Sequence, residues 1–167
     1  MKEISYFERQ RMSPWILIIT ALIMTGTTIL FSNGNIKITL PVLITLVVLA
    51  VLYFVFAMQT VIDDNGLYVK FSILQWKYRF IAWTDVEQAY IRQYNPLFEY
   101  GGWGYRVGMK KGGRSNIAYN MQGNIGLQLV LRNGNKVLIG TRCPEAIDEI
   151  LKALINRGVI QAVEENQ

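Results

Sequence analysis

Two long uncharged runs near the start of the chain constrain its fold more than any other feature. Residues 14–31 and 38–57 are runs of 18 and 20 residues without a charged side chain. As α-helices they would be roughly 27 and 30 Å long, close to the hydrocarbon thickness of a bilayer. The alternative is that both runs are helices in the core of a soluble protein, but two successive helices would then each have to be apolar on every side. The sequence therefore predicts two transmembrane helices.

The orientation of these helices follows from the basic residues that flank them. Residues 32–37 are a short polar connection, which favours an antiparallel helical hairpin. The flanking basic residues are Lys2, Arg9 and Arg11 in the tail 1–13, Lys37 in the connection, and Lys70, Lys77 and Arg79 after the second run. The positive-inside rule then predicts a multi-pass protein of the cytoplasmic membrane, with both termini in the cytoplasm and 32–37 outside.

After the second apolar run, alternating side chains indicate β-strands. Asn65-Gly66 and Asn133-Gly134 each separate two alternating segments, and Asn-Gly is the strongest short-range signal for a hairpin. Four further strands are predicted at 78–83, 86–94, 104–109 and 117–121. Closely spaced strands of this kind predict an antiparallel sheet.

The last predicted element is an amphipathic helix that begins at Pro144. Acidic residues fill its early turns, and Gly158 is the expected left-handed cap. Its apolar face is formed by Ile147, Ile150, Leu151, Leu154 and Ile155. We expect this helix to close the open end of a bent sheet, with a flexible tail over 159–167.

Several short motifs resemble those of a known family. They are Phe7-Glu8-Arg9-Gln10-Arg11, Ile81-x-Trp83-x-Asp85-Val86, Glu99-Tyr100-Gly101-Gly102-Trp103-Gly104, Ala118-Tyr119-Asn120, Gly126-Leu127-Gln128-Leu129, and Leu138-Ile139-Gly140-Thr141 with Pro144-Glu145. The chain thus resembles a family of uncharacterised bacterial membrane proteins with two N-terminal spans before a pleckstrin-homology-like (PH-like) domain. The resemblance implies a membrane-anchored α+β fold, in which 59–158 form an antiparallel barrel or sandwich of about seven or eight strands capped by a C-terminal helix. It implies no established activity.

The glycine-rich segment 101–104 invites comparison with a phosphate-binding loop, but its spacing does not match one. Gly108 comes one residue late for the G-x-G-x-x-G pattern, and no helix follows. A bulged or bent strand, with Trp103 in a groove, is the favoured interpretation. The aromatic residues around it form the candidate interaction surface: Tyr94, Phe98, Tyr100, Trp103 and Tyr105.

A basic loop offers a candidate contact with anionic lipid. Its cations are Lys110, Lys111 and Arg114, and cations near a membrane surface are attracted to anionic lipid. The alternative is a solvated hairpin tip. The loop Asp63-Asp64-Asn65-Gly66 would repel a phosphorylated headgroup, so it is not expected to bind phosphoinositides.

The residues needed for common catalytic sites are scarce. The chain has no histidine and one cysteine, Cys143, so neither a papain-like pair nor a zinc site is predicted. The formal charge of +5 is explained by loops and by lipid contact rather than by nucleic acid. We therefore predict no cofactor, no metal and no enzymatic activity.

These features predict a membrane-tethered, non-catalytic binding or scaffolding module. Its expected partners are the bilayer and either a protein or a second copy of the chain. The alternative is a small-ligand sensor or enzyme with a pocket at Trp103, lined by tyrosines and by Arg106 or Glu99. A channel subunit is the weakest of the three hypotheses, because only threonines are available to line a pore.

Overall fold

The computed structural model describes residues 5–31, 35–72, 75–109 and 115–160. Within them the elements are β1 (Ser5–Arg11), α1 (Pro14–Phe31), α2 (Ile36–Val55), β2 (Ala57–Asp63), β3 (Gly66–Phe71), β4 (Arg79–Ala82), β5 (Val86–Gln93), α3 (Pro96–Tyr100), β6 (Gly104–Met109), β7 (Ser115–Asn120), β8 (Ile125–Leu131), β9 (Lys136–Gly140) and α4 (Pro144–Asn156). The architecture is α+β, with a four-stranded sheet A and a five-stranded sheet B.

Sheet A consists of β1 to β4 in chain order, each antiparallel to the next. The predicted hairpin at Asn65-Gly66 is confirmed and joins β2 to β3. Its turn is held by Asp63, whose Oδ1 accepts hydrogen bonds from the backbone N–H groups of Asn65 (2.8 Å) and Gly66 (2.9 Å). This is the Asx-type turn that an aspartate before Asn-Gly favours.

Strand β1 corrects the prediction that residues 1–13 are a tail. Residues 5–11 pair with β2 along its whole length, from Ser5 opposite Asp63 to Arg11 opposite Ala57. The two apolar helices are therefore inserted between two neighbouring strands of sheet A. The folded domain is built from both sides of the helix pair, and the prediction that it begins at residue 59 is wrong.

Sheet B has the strand order β5-β8-β9-β7-β6. The predicted hairpin at Asn133-Gly134 joins β8 to β9 and is confirmed. The expectation of a purely antiparallel arrangement is wrong at one place, because β7 and β9 are parallel, with Asn116 opposite Lys136. Strand β8, which lies between β7 and β9 in the chain, pairs with the opposite edge of β9 from β7. Strand β9 therefore lies between β8 and β7 in the sheet.

The larger hydrophobic core lies between the two sheets and α4. It joins Met58 and Phe71 of sheet A to Leu127 and Ile139 of sheet B, all fully buried. Helix α4 confirms the predicted C-terminal helix and buries Ile147, Leu151 and Leu154. Gly158 follows it with a φ of 71°, as predicted for the cap. The described strands form two separate sheets, so a closed barrel is not present among them.

The helix pair exposes its apolar surface. Among the described residues, one helix, α2, is both long and apolar enough to cross a membrane, with a mean hydropathy of 2.7. Helix α1 is apolar from Leu17 to Phe31 and contacts α2. None of the residues of α2 is buried, which is unusual for a chain surrounded only by water.

Candidate functional site

The predicted aromatic surface is divided between several environments. Tyr94 is 4% exposed and lies with its ring edge-on to Tyr100, at 6.0 Å between centroids. Tyr105 packs against the fully buried Tyr119. Phe98, by contrast, is 91% exposed. The five residues therefore do not form one continuous exposed patch.

An ion pair fixes the short helix α3 that carries part of this segment. Glu99 binds Arg92 through two oxygens, with Oε2 2.7 Å from Nη2 and Oε1 3.2 Å from Nη1. Asn95 caps the helix by accepting from the N–H groups of Leu97 and Phe98, both at 3.1 Å. Hydrogen bonding to Glu99 raises the pKa of Arg92, and burial raises the pKa of the Tyr100 hydroxyl beside it.

The glycine segment is a helix end rather than the expected bulged strand. Gly101 has a φ of 72° and closes α3, where its N–H donates to the carbonyl of Leu97 at 2.9 Å. Gly102 and Gly104 also have positive φ values, of 121° and 114°. Side chains rarely adopt these conformations, so the glycines are explained by the turn from α3 into β6.

Trp103 forms one wall of a groove at the base of the helix pair, and its side chain is 46% exposed. The groove has a volume of ≈ 310 Å³ and is lined by Met12, Ser13, Phe56, Trp103, Gly104, Met121 and Gln122. The Trp103 indole N–H donates to the carbonyl of Gly123 at 3.1 Å. The tyrosines, Arg106 and Glu99, which the sensor hypothesis placed here, do not line the groove.

The cations predicted to contact lipid, Lys110, Lys111 and Arg114, lie outside the described residues. The strands that flank them are described, and Met109 lies opposite Ser115 at one end of the β6–β7 pair. Gly104 and Asn120 form the other end of that pair, and Gly104 lines the Trp103 groove. The flanking strands thus lead away from the helix pair.

The two ends of the folded domain differ in character. The end that adjoins α1 and α2, here called the helix-side end, includes the connections after β3, β5, β7 and β9. Its position is fixed by contacts such as Ser72 N–H to the carbonyl of Ala57, at 2.9 Å. It carries large exposed apolar side chains, namely Trp76, Leu97, Phe98, Trp103 and Ile125. Trp76 is 97% exposed.

The opposite end, here called the distal end, carries polar turns. Its turns are joined by a hydrogen bond from the Trp83 indole to the carbonyl of Asp63 (2.8 Å) and by one from Arg132 Nε to the carbonyl of Thr84 (2.9 Å). The tips of these turns are Asp64 and Asn65, Thr84 and Asp85, and Arg132 and Asn133. Of the two ends, the helix-side end is thus the one that carries exposed aromatic side chains.

A cleft that the sequence does not predict lies at the helix-side end. It has a volume of ≈ 570 Å³ and is lined by Arg9, Arg11, Met12, Ser13, Pro14, Trp15, Tyr53, Gln122 and Arg142. Arg9 and Arg11 are two positions apart on β1 and so share a face. Their juxtaposition with Arg142 has no sequence signal, because it depends on β1 lying beside the end of β9.

A buried carboxylate holds that juxtaposition in place. Glu8 accepts hydrogen bonds from the hydroxyls of Tyr6 (2.9 Å) and Thr141 (2.8 Å), from Gln10 Nε2 (3.0 Å) and from the backbone N–H of Arg142 (2.9 Å). Burial, and then the negative charge of Glu8, raise the pKa of the Tyr6 hydroxyl. Four donors satisfy Glu8, so it acts here as a structural acceptor.

Comparisons with known proteins add no assignment, since no family model and no curated protein matches the sequence. Within 5–31, 35–72, 75–109 and 115–160, no group of three or more Cys, Asp or Glu residues is placed to hold a metal ion. Cys143 is exposed. The candidate sites among the described residues are therefore three surfaces. They are the aromatic helix-side end, the arginine cleft and the apolar helix pair.

Proposed function

We propose that this chain is a membrane-tethered, non-catalytic binding module, anchored by α1 and α2 and seated with its helix-side end on the cytoplasmic face of the membrane. The observation that carries the proposal is the difference between the two ends of the domain. Exposed tryptophan and phenylalanine side chains near the helix pair suit the headgroup region of a bilayer, where amphipathic rings are enriched. The polar distal turns suit water.

The insertion of the helix pair between β1 and β2 supports a fixed orientation. Arg11 and Ala57 are register partners, and only Met12 and Ser13 precede α1 while only Phe56 follows α2. So short a connection leaves the domain little freedom to turn relative to the helices. A domain held in this way presents the same face to the cytoplasm at all times.

The PH-like relationship also belongs to this proposal. Its support is a first sheet of consecutive antiparallel strands, a second sheet and a C-terminal helix that packs on it. The parallel β7–β9 pair departs from the antiparallel sheet that the resemblance implies.

The outer face of sheet A is the surface that we propose for a protein partner. An apolar row crosses all four strands, since Phe7 lies opposite Val61, Val61 opposite Tyr68, and Tyr68 opposite Phe80. Phe7 and Phe80 are exposed, and the Tyr68 and Phe80 rings pack at 4.6 Å. Exposed aromatic side chains in a continuous strip are typical of the centre of a protein interface.

The charge beside this row identifies the kind of partner. Arg9, Gln59 and Lys70 form the next row of register partners, so positive charge borders the apolar strip. We therefore propose a partner that carries carboxylates next to an apolar strip.

The membrane topology is tested with the single thiol. Maleimide should reach Cys143 only after the membrane of spheroplasts is permeabilised, because the proposal places it on the cytoplasmic side. A Cys143→Ser, Asn35→Cys variant moves the thiol to the connection between the helices and should react in intact spheroplasts. Reaction of wild-type Cys143 in sealed spheroplasts would overturn the proposed orientation.

The seating of the domain is tested with tryptophan quenching in vesicles that contain lipids brominated near the headgroup. Trp76→Phe and Trp103→Phe should each lower the quenched fraction of the emission, because these side chains are at the helix-side end. Trp83→Phe should raise it, because Trp83 is buried at the distal end. An unchanged fraction in the Trp76 and Trp103 variants would contradict the seating.

The partner surface is tested by photo-crosslinking in cells. Benzoylphenylalanine at Phe7 or Phe80 should give a defined adduct, whereas the same group at the exposed Glu87 should not. If acidic side chains of the partner face Lys70, Lys70→Glu should lower the yield of the adduct. A covalent dimer of this chain, or an adduct that Lys70→Glu leaves unchanged, would exclude the proposed acidic partner.

A small-ligand sensor remains a second candidate, favoured by the groove beside Trp103. Since Met12, Phe56 and Met121 line it, its ligand would be apolar. Filling the groove by Gly104→Ala is unsuitable, because Gly104 has a φ of 114°. Met121→Trp would test the candidate by abolishing a ligand-induced change in Trp103 fluorescence.

A further inference from the structure

We propose that the arginine cleft binds the phosphate headgroup of an anionic glycerophospholipid, and that an acyl chain of this lipid lies in the groove between α1 and α2. The inference rests on the proposed membrane seat, and it names a ligand for residues outside the basic loop 110–114. Two neighbouring cavities of opposite chemistry, which share three lining residues, carry it.

The first cavity is the arginine cleft. Arg9, Arg11 and Arg142 line it, and none of the three forms an ion pair with a described carboxylate. Guanidinium groups bind phosphate through paired N–H donors, with a geometry that an ammonium group does not provide. Three guanidinium groups without an ion pair among the described residues therefore offer a phosphate such donors at one cleft.

Two of the three arginine side chains have described contacts beside the cleft. Arg11 lies over the ring of Phe54, at 5.6 Å from its centroid. In the amide orientation that satisfies both side chains, Gln122 accepts from Arg142 Nε (3.1 Å) and Nη1 (3.3 Å). Glu8 is close by, but it is occupied by its four donors and contacts Arg142 through the backbone N–H.

The second cavity is an apolar groove of ≈ 380 Å³ along the helix pair. Met12, Ser13 and Tyr53 line both this groove and the arginine cleft, so the two cavities are neighbours. The remaining lining residues of the groove are Leu17, Thr20, Leu49, Leu52 and Phe56.

A smaller hollow of ≈ 160 Å³ extends the groove along the helices. It shares Leu17 and Leu49 with the groove and adds Ala21, Leu46 and Ala50. Along the helix pair, the cationic cleft is thus followed by the apolar groove and then by the smaller apolar hollow. A phospholipid has this order of chemistry, whereas a free phosphate would use the first cavity alone.

Aromatic residues at the junction fit the same ligand. Trp15 and Tyr53 line the cleft where it meets the helices. Rings of this kind are favoured at the level of lipid headgroups, where one edge is apolar and the other is hydrated.

The test uses the full chain, purified and delipidated in detergent, with three probes. These are dioleoylphosphatidylglycerol, dioleoylphosphatidylcholine with the same chains but no net charge, and glycerol 3-phosphate with no chain. The midpoint of thermal unfolding is followed during each titration, since a ligand bound to the folded state raises it. Phosphatidylglycerol should raise the midpoint at the lowest concentration, and glycerol 3-phosphate should have no effect at the same concentrations.

Variants separate a built site from general attraction. Arg9→Gln and Arg142→Gln should each weaken phosphatidylglycerol binding by about tenfold, the effect of losing one charge-assisted pair. Lys77→Gln removes the same charge from the helix-side end outside the cleft and should bind as the wild type does. The Arg9 side chain is exposed, so Arg9→Gln is not expected to disturb folding.

Each result bears on the proposal. An equal loss of phosphatidylglycerol affinity in Lys77→Gln and Arg142→Gln would contradict the proposed site. Equal binding of the two phospholipids would also contradict it. An equal shift with glycerol 3-phosphate would replace it with a site for free phosphate. If phosphatidylglycerol does not bind while the Cys143 and Asn35 labelling holds, only the lipid site fails; if the labelling also fails, the proposed function fails with it.

Discussion

Glu8 and Thr141 are 133 positions apart in the chain, and their side chains are joined by a hydrogen bond of 2.8 Å between the Thr141 hydroxyl and Glu8 Oε2. A second link runs nearby, from Gln10 Nε2 to the carbonyl of Gly140, at 2.7 Å. These contacts fasten β1, which precedes the helix pair, to the end of β9 in the other sheet. They also bring Arg9 and Arg11 to the side of Arg142.

Replacing Glu8 by glutamine should destabilise the fold while preserving side-chain size. The new NH₂ group would face the donors of Tyr6, Thr141 or Arg142, leaving donors unsatisfied in a buried site. We expect a loss of about 2 kcal/mol, because a buried unsatisfied polar group costs roughly 1–3 kcal/mol. The measurement is the unfolding midpoint in detergent.

The matched control is Glu87→Gln, since Glu87 is an exposed carboxylate on β5. It should stay within about 0.5 kcal/mol of the wild type, as surface substitutions usually do. A Glu8→Gln variant that unfolds at the same midpoint as Glu87→Gln would show that the buried contacts contribute nothing.

Gly126→Ala should destabilise sheet B. A Cβ atom at Gly126 would lie 2.8 Å from the carbonyl oxygen of Ile139 on the neighbouring strand, and backbone atoms of a central strand cannot move aside cheaply. Overpacking of this kind costs about 1–3 kcal/mol. Gly108→Ala is the control, because its nearest neighbour would be the carbonyl oxygen of Asn116 at 3.5 Å, an ordinary contact. Equal unfolding midpoints for the two variants would contradict the β8–β9 register.

The sequence predicted the elements whose signals are local. Both Asn-Gly hairpins, strand β6 and helix α4 are at the expected places. Each has turn residues or an apolar period within its own few residues. The same is true of α2, which is uncharged after Lys37 and is long and apolar enough to cross a membrane.

Strand β1 could not be predicted in this way, because its inward side chains are polar. Tyr6, Glu8 and Gln10 alternate with Phe7 and Arg9, so the apolar alternation of an ordinary half-buried strand is missing. Its inward polar groups form hydrogen bonds with Gly140, Thr141 and Arg142. The sequence around β1 contains no signal for these distant partners. The arginine cleft depends on that same distant pairing.

Alkaline pH should weaken the fold through Tyr6. Its pKa is raised by burial and by Glu8, so the unfolded state loses its proton at a lower pH than the folded state does. Above about pH 10 the folded state therefore binds more protons, and the free energy of unfolding falls as pH rises, by up to about 1.4 kcal/mol per pH unit for one proton.

Tyr6→Phe tests this dependence. The variant is expected to be less stable at pH 8, because Glu8 loses a donor, but to show a shallower fall in unfolding free energy above pH 10. The slope is measured by denaturant titrations at several pH values. An unchanged slope would exclude Tyr6 as a source of the pH dependence. The buried Tyr94 and the partly buried Tyr100, whose pKa values burial also raises, would then account for it.

Replacing the helix pair by a two-residue turn should yield a folded, water-soluble domain. Arg11 and Ala57 are register partners, so Met12 and Phe56 can be joined by Asn-Gly in place of residues 13–55. This chain should give a dispersed amide NMR spectrum with the Glu8 contacts intact. Residues 57–160 alone are the control: without β1, strand β2 has an unpaired edge, and Thr141 and Arg142 lose their acceptor, so we expect aggregation. If the control folds as well as the joined chain, β1 is not part of the domain, and the cleft built on Arg9 and Arg11 loses its support.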